Sequence, residues 1–159
     1  MIVRLKTAHD DAVPSANTIQ LTNLIWLNAL TGEASYADRS ERLYNCFQGD
    51  IARGPVGHCG FLAAGLDLAG LVQIVVTGGS SEKGLGLRRV AVCTSTPGAL
   101  EFLDPGSGAR PLPVALGGKL DVAVTATAYV CCGPVCGLPV FEPAGLKERL
   151  LEARSARST

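Results

Sequence analysis

Residues Gly70-Leu71-Val72-Gln73-Ile74-Val75-Val76-Thr77-Gly78-Gly79 decide the fold. Val72 to Val76 is a short run rich in β-branched residues, bounded by glycine on both sides. Such a run is a buried strand: it is too short for a helix and its branched side chains suit a pleated surface. The longest apolar stretch, Phe61 to Thr77, is interrupted by Asp67 and Gln73 and weakened by Gly65 and Gly70. It is too short and too broken to span a bilayer. No apolar signal core follows Met1-Ile2-Val3-Arg4-Leu5-Lys6, so a cytoplasmic location is expected.

Downstream of that strand, Ser80 and Ser81 are placed to cap a helix. Arg88 to Thr94 has strand propensity, but Leu85, Leu87, Val90 and Ala91 stand near helical spacing. Parallel strands need a crossover of about a dozen residues, so a helix is expected over 82–94. Ala99 to Leu103 is a second strand, residues 104–119 a Pro/Gly-rich loop, and Val122 to Val130 a third strand. Glu142-Pro143 opens a last helix through Ala153, with Leu146, Leu150 and Leu151 expected inward and Ser155 to Thr159 as a tail.

Upstream, the chain is helical. Pro14 and Ser15 offer a helix start, and Ile19, Leu21, Leu24, Ile25, Leu27 and Leu30 make a wide apolar stripe that Thr31-Gly32 ends. A second helix is expected from Ala34 to about Phe47, forming an antiparallel hairpin with the first. Gly49 to Gly57 reads as a loop, and Gly60 to Ala69 as a third helix with Phe61, Leu62, Leu66 and Ala69 on one face. The expected fold class is α+β. An α-hairpin region over 1–70 precedes a small three-stranded α/β unit with a C-terminal helix over 71–154.

Composition bounds the function. Lys plus Arg is 14 and Asp plus Glu is 14, so no net positive field draws nucleic acid or an anionic membrane. Hydrophobic residues at 47% and charged residues at 18% exclude a disordered chain. Aromatics are only 5%, so the core is built mainly from Leu, Val and Ala.

His9-Asp10-Asp11-Ala12-Val13-Pro14-Ser15-Ala16-Asn17 resembles the D-G-A-x-P-S-G-N signature of the YyaL-like, spermatogenesis-associated protein 20-like family of thioredoxin-domain-containing proteins. Leu30-Thr31-Gly32 followed by Tyr36, the strand Ile74-Val75-Val76-Thr77-Gly78, and Thr127-Ala128-Tyr129-Val130-Cys131 with Cys136, Pro139 and Val140 resemble further family blocks, in family order. Asp11 and Ala16 stand where the signature has glycines. The resemblance implies the C-terminal part of that family: the last hairpins of an (α/α) toroid of the six-hairpin glycosidase type, then an α/β end. It implies a carbohydrate-related role for full-length members and no activity for this chain in isolation. The expected partners are a second copy of the chain or the family's N-terminal part, because hairpins that pack on toroid neighbours expose apolar surface without them.

Three groups of residues are candidates for chemistry. Asp10, Ser15 and Asn17 sit at a helix start, where they would hold a polar or sugar-like ligand by hydrogen bonds, or else cap the helix. Asp10 would serve as acid or base only with a second carboxylate facing it. Gly78 to Gly86 follows a strand as phosphate loops do, but Leu85 stands where a P-loop requires Lys, and a plain turn is the better reading. Cys131-Cys132-Gly133-Pro134-Val135-Cys136 is the densest thiol cluster, a candidate for redox pairing or a soft-metal site. Side chains alternate along a strand, so Cys131 and Cys136 are the pair expected to meet across the turn, with Cys132 facing the other way. In a reducing cytoplasm all six cysteines are expected as free thiols, with the Cys131–Cys136 bridge forming only under oxidation. His9 and His58 read as surface or packing residues rather than ligands. No cofactor and no dedicated metal site are expected.

Overall fold

The computed structural model describes residues 6–78, 81–94, 98–103, 126–133 and 135–156. The chain divides into two compact units, Met1–Ala69 and Gly70–Thr159. The Pro/Gly-rich segment 104–119, the start of the third strand, Gly79, Ser80 and Pro134 lie outside the described residues.

The first unit is helical. α1 runs over Ala16–Thr31; Ser15 is its N-cap, and its hydroxyl accepts from the Thr18 N–H at 3.1 Å. Gly32 ends the helix at φ +71°, and its N–H donates to the Asn28 carbonyl, a left-handed stop that glycine adopts without strain. α2 covers Ala34–Cys46 and α4 covers Cys59–Gly70. Leu21, Leu24 and Ile25 of α1 are buried, as are Phe47, Ile51 and Phe61. Phe61 stacks on Tyr44 at 5.7 Å between ring centroids and meets Phe47 edge-on at 5.4 Å, so three of the few aromatics meet at one point.

Two expectations are corrected in this unit. The expected loop after α2 is instead α3, Gln48–Arg53, followed by a 3-10 turn over Pro55–His58. Gly49, Gly54 and Pro55 read as breakers, but buried Ile51 anchors a short helix and Pro55 takes the first turn position, where no N–H is required. The inner face of α4 is Phe61, Ala64 and Asp67, whereas Leu66 is 55% exposed. Leu66 and Leu62 line an open groove of about 810 Å³ with Tyr44, Ala63 and Leu68.

The second unit is built on β1, Val72–Thr77, every residue of which is buried. β1 pairs in parallel with β2, Leu100–Leu103, and antiparallel with β3, Thr127–Cys132, which pairs in turn with β4, Val135–Cys136. The sheet order is β2-β1-β3-β4. Between β1 and β2 runs α5, Glu82–Thr94, the crossover helix that parallel pairing demands. The Ser81 hydroxyl caps it by accepting from the Gly84 N–H at 3.1 Å. α6, Pro143–Ala156, extends beyond Ala153 into the expected tail.

Val72, Ile74 and Val76 of β1, Ala128 and Val130 of β3, Leu87 and Ala91 of α5, and Leu146, Leu150 and Ala153 of α6 form one core. Leu151 is 45% exposed and Ala153 takes its expected inward place, because the buried face of α6 runs 146, 150, 153 at spacings of four and three. Val75, Tyr129 and Cys131 form a second cluster on the other sheet face. Gly78 closes β1 at φ +110°, and a Cβ there would stand 2.3 Å from the Ala126 Cα, so both its backbone and its space require glycine.

Among the described residues the sheet has four strands, not three. β3 continues to Cys132 and the chain turns back at Gly133 into β4. Cys131 faces Cys136, and strict pairing from there would set Ala128 opposite Pro139; it faces Val140 instead. The returning strand therefore carries one extra residue within 137–139, a β-bulge.

Candidate functional site

Asp10 is the centre of the first candidate group. One carboxylate oxygen, Oδ1, accepts from the Ser15 N–H at 2.9 Å and the Thr18 hydroxyl at 3.2 Å. The other, Oδ2, accepts from the Gly60 N–H at 2.7 Å. Ser15 is the cap of α1 and Gly60 lies in the first turn of α4, so one anion serves the electropositive starts of two helices. A Cβ on Gly60 would approach Oδ2 to 3.0 Å, a tight contact to which the carboxylate would have to yield by a few tenths of an ångström. The Asp10 N–H donates to the Gly57 carbonyl at 2.7 Å, laying residues 9–10 against the turn before α4.

Burial alone would raise the Asp10 carboxyl. The Ser15 and Gly60 amides, the Thr18 hydroxyl and the nearby His58 outweigh it and hold the group below its ordinary value, so it is an anion at neutral pH. Asn17 does not join this cluster: its Nδ2 donates to the Thr7 carbonyl at 2.7 Å. Asp11, beside Asp10 in the chain, is exposed. His9 and His58 meet edge-on at 5.5 Å, with His58 buried and its Nδ1 bonded to the Gly54 carbonyl at 2.8 Å. They border a hollow of about 480 Å³ with Arg53 and Gly57. Thr18 and Gly60 were not among the sequence candidates. Thr18 stands three residues after the cap Ser15 and is legible on that ground, whereas nothing local to Gly60 marks it.

In the second group, Cys131 and Cys136 are joined by a disulfide across the β3–β4 pair. Cys131 is buried, Cys136 is exposed, and Cys132 is an exposed free thiol. While the bond is intact neither sulfur is a thiolate, so soft-metal binding by this pair requires prior reduction. Among the described residues no group of three His, Cys, Asp or Glu side chains is placed to hold a metal ion. Among them, too, no helix is long and apolar enough to cross a membrane.

No family model matches the chain, and no solved structure matches it. Its sequence is 31% identical over 156 residues to spermatogenesis-associated protein 20 of Homo sapiens, covering 93% of this chain and 20% of that protein. The Rattus norvegicus and Mus musculus proteins of the same name are 30% and 29% identical over the same share of this chain. The chain spans about a fifth of the length of these relatives. Through 93% of its residues the chain is similar to one segment of the longer spermatogenesis-associated protein 20.

Proposed function

We propose that this chain is a non-catalytic segment, corresponding to the C-terminal part, of a YyaL-like protein whose full-length members have a carbohydrate-related role. The match to one-fifth of the relatives' length supports a segment. The observation that carries the non-catalytic reading is the state of Asp10. Its two oxygens are engaged by three donors of the same chain, which leaves it building the fold rather than meeting a ligand. Glycoside chemistry needs two carboxylates held across a substrate, and adjacent Asp10 and Asp11 cannot face one another that way. The test is turnover of a panel of chromogenic glycosides by the 159-residue chain and its Asp10→Asn variant. No turnover is expected; turnover abolished by the variant overturns the reading.

A partner role fits the same reading. Ile19, Trp26 and Leu27 lie exposed along one side of α1 and would drive association with a second copy or with the rest of a longer protein. A dimer or larger by light scattering at tens of micromolar supports self-association; a clean monomer counts against it.

The Cys131–Cys136 bond favours a second reading, a thiol-based redox module. It requires that the pair form and break reversibly while Cys46, Cys59, Cys93 and Cys132 stay free. Alkylation and mass measurement after oxidation and again after reduction test it. A bridge that never forms ends the reading.

A further inference from the structure

Resting on the thiol reading, we propose that the Cys131–Cys136 bond is a latch on the rim of the sheet, which a small thiol opens at Cys136 Sγ to release residues 135–140 from β3. The two sulfurs differ in access: Cys136 is exposed, whereas Cys131 is 1% exposed. Thiol–disulfide exchange proceeds by attack of a thiolate on a reachable sulfur, which here is Cys136.

Among the described residues, the segment beyond that sulfur has little else to hold it. Val135 is 70% and Leu138 76% exposed, and Gly137 and Pro139 are exposed as well, so burial contributes almost nothing over 135–139. β4 itself is two residues long. Past it, the ties to β3 among the described residues are the Gly137 N–H to the Val130 carbonyl at 2.9 Å and the reciprocal Ala128–Val140 pair at 2.8 Å. The bulge between those ties breaks the ladder where it would otherwise run on. Only Val140 returns to the core. The covalent bond is therefore the dominant constraint on this rim, in contrast to β1, which both neighbours and its own burial hold.

The exchange balances with a small monothiol as the reductant. Its thiolate attacks Cys136 Sγ; a new sulfur–sulfur bond forms there as the Sγ–Sγ bond breaks. The electron pair leaves on Cys131 Sγ, which takes a proton from water. A second monothiol attacks the sulfur of the first, Cys136 departs as a thiolate and is protonated, and the two small molecules leave joined as their own disulfide. The protein pair gains two electrons and the two monothiols lose them. Cys132 takes no part, since alternation along β3 directs it to the opposite face from Cys131.

The experiment is amide hydrogen exchange on the full chain, oxidised and then reduced with glutathione, with the thiols counted by mass in each state. Reduction is expected to speed exchange at the Gly137 amide roughly tenfold or more, while Ile74 is unchanged. Equal Gly137 rates in verified oxidised and reduced samples overturn the latch and leave the thiol reading standing. Six free thiols in the oxidised sample end both. Peptide mapping after exposure to oxidised glutathione tests which sulfur is reachable: the Cys136 thiolate of Cys131→Ser is expected to attack that disulfide and carry glutathione, releasing the other half as a free thiol, and Cys136→Ser to leave Cys131 unmodified. The reverse pattern overturns the assignment of Cys136. Cys132→Ser is expected to leave the Gly137 change intact, and its loss in that variant overturns the two-cysteine latch.

Discussion

In the helical unit one carboxylate ties two helix starts together; in the α/β unit one buried strand plays the corresponding part with methyl groups. Asp10 reaches Ser15, Thr18 and Gly60 through directed bonds whose strength depends on charge. β1 packs Val72, Ile74 and Val76 into a core shared by α5, α6 and β3, an arrangement that depends on volume and is indifferent to charge. The difference teaches where each unit is fragile. The first is exposed to loss of a single polar atom and to acid, the second to loss of a few methylenes.

The largest effect is expected from the strand. Ile74→Ala should cost about 3 kcal/mol by urea unfolding, because a fully buried side chain leaves a cavity that the neighbours fill only in part. A loss below about 1 kcal/mol would mean that volume does not govern this unit. Asp10→Ala should follow at about 2 kcal/mol, since it leaves two helix-start amides and a hydroxyl without their acceptor. Asp10→Asn should recover part of that, as its one carbonyl oxygen still accepts.

Acid should separate the units further. The Asp10 carboxyl is held below its ordinary value in the folded chain, so the unfolded chain binds the proton more readily. Its contribution is complete above the ordinary value of 3.8 and is lost as pH falls through that value toward the lower folded one. The stability gap between wild type and Asp10→Asn should therefore narrow over that window, while the gap to Ile74→Ala stays level. A widening gap for Asp10→Asn would contradict the sign.

Smaller changes sharpen the same contrast. Ser15→Ala should cost about 1 kcal/mol, the ordinary worth of an N-cap. Lys83→Ala, which removes the 2.6 Å bridge to Glu142 between two well-exposed side chains, should cost no more than about 0.5 kcal/mol and nothing in high salt.

Sequence was informative where the governing contacts are local or where chain geometry leaves one solution. The Ser15 cap of α1, its Gly32 stop and its inward Leu21, Leu24 and Ile25 are written within a few residues of one another, whereas Ile19 and Leu27 of the expected stripe lie exposed. α5 was legible against its own propensity, because two parallel neighbours cannot be joined without a crossover. The pairing of Cys131 with Cys136 followed from strand alternation and a turn. What stayed hidden was decided by distant partners. Leu66 and Leu151 are more apolar than Ala64, Asp67 and Ala153, which lie inward in their stead, so hydrophobicity alone misleads and only the packing of the folded chain chooses between faces. The short helix α3 is anchored by Ile51 inside a stretch full of glycine and proline. Gly60 binds an acid fifty positions away, a relation with no local trace.

The bulge within 137–139 has a consequence for behaviour in crowded solution. An open sheet rim is a template on which foreign strands can add, and long flat rims seed aggregation. Here the rim strand is two residues long, then bends, and Pro139 offers no N–H to an incoming chain. Exposed Val135 and Leu138 would make this border of the sheet sticky, yet the backbone beneath them presents too short a ladder for a second molecule to copy.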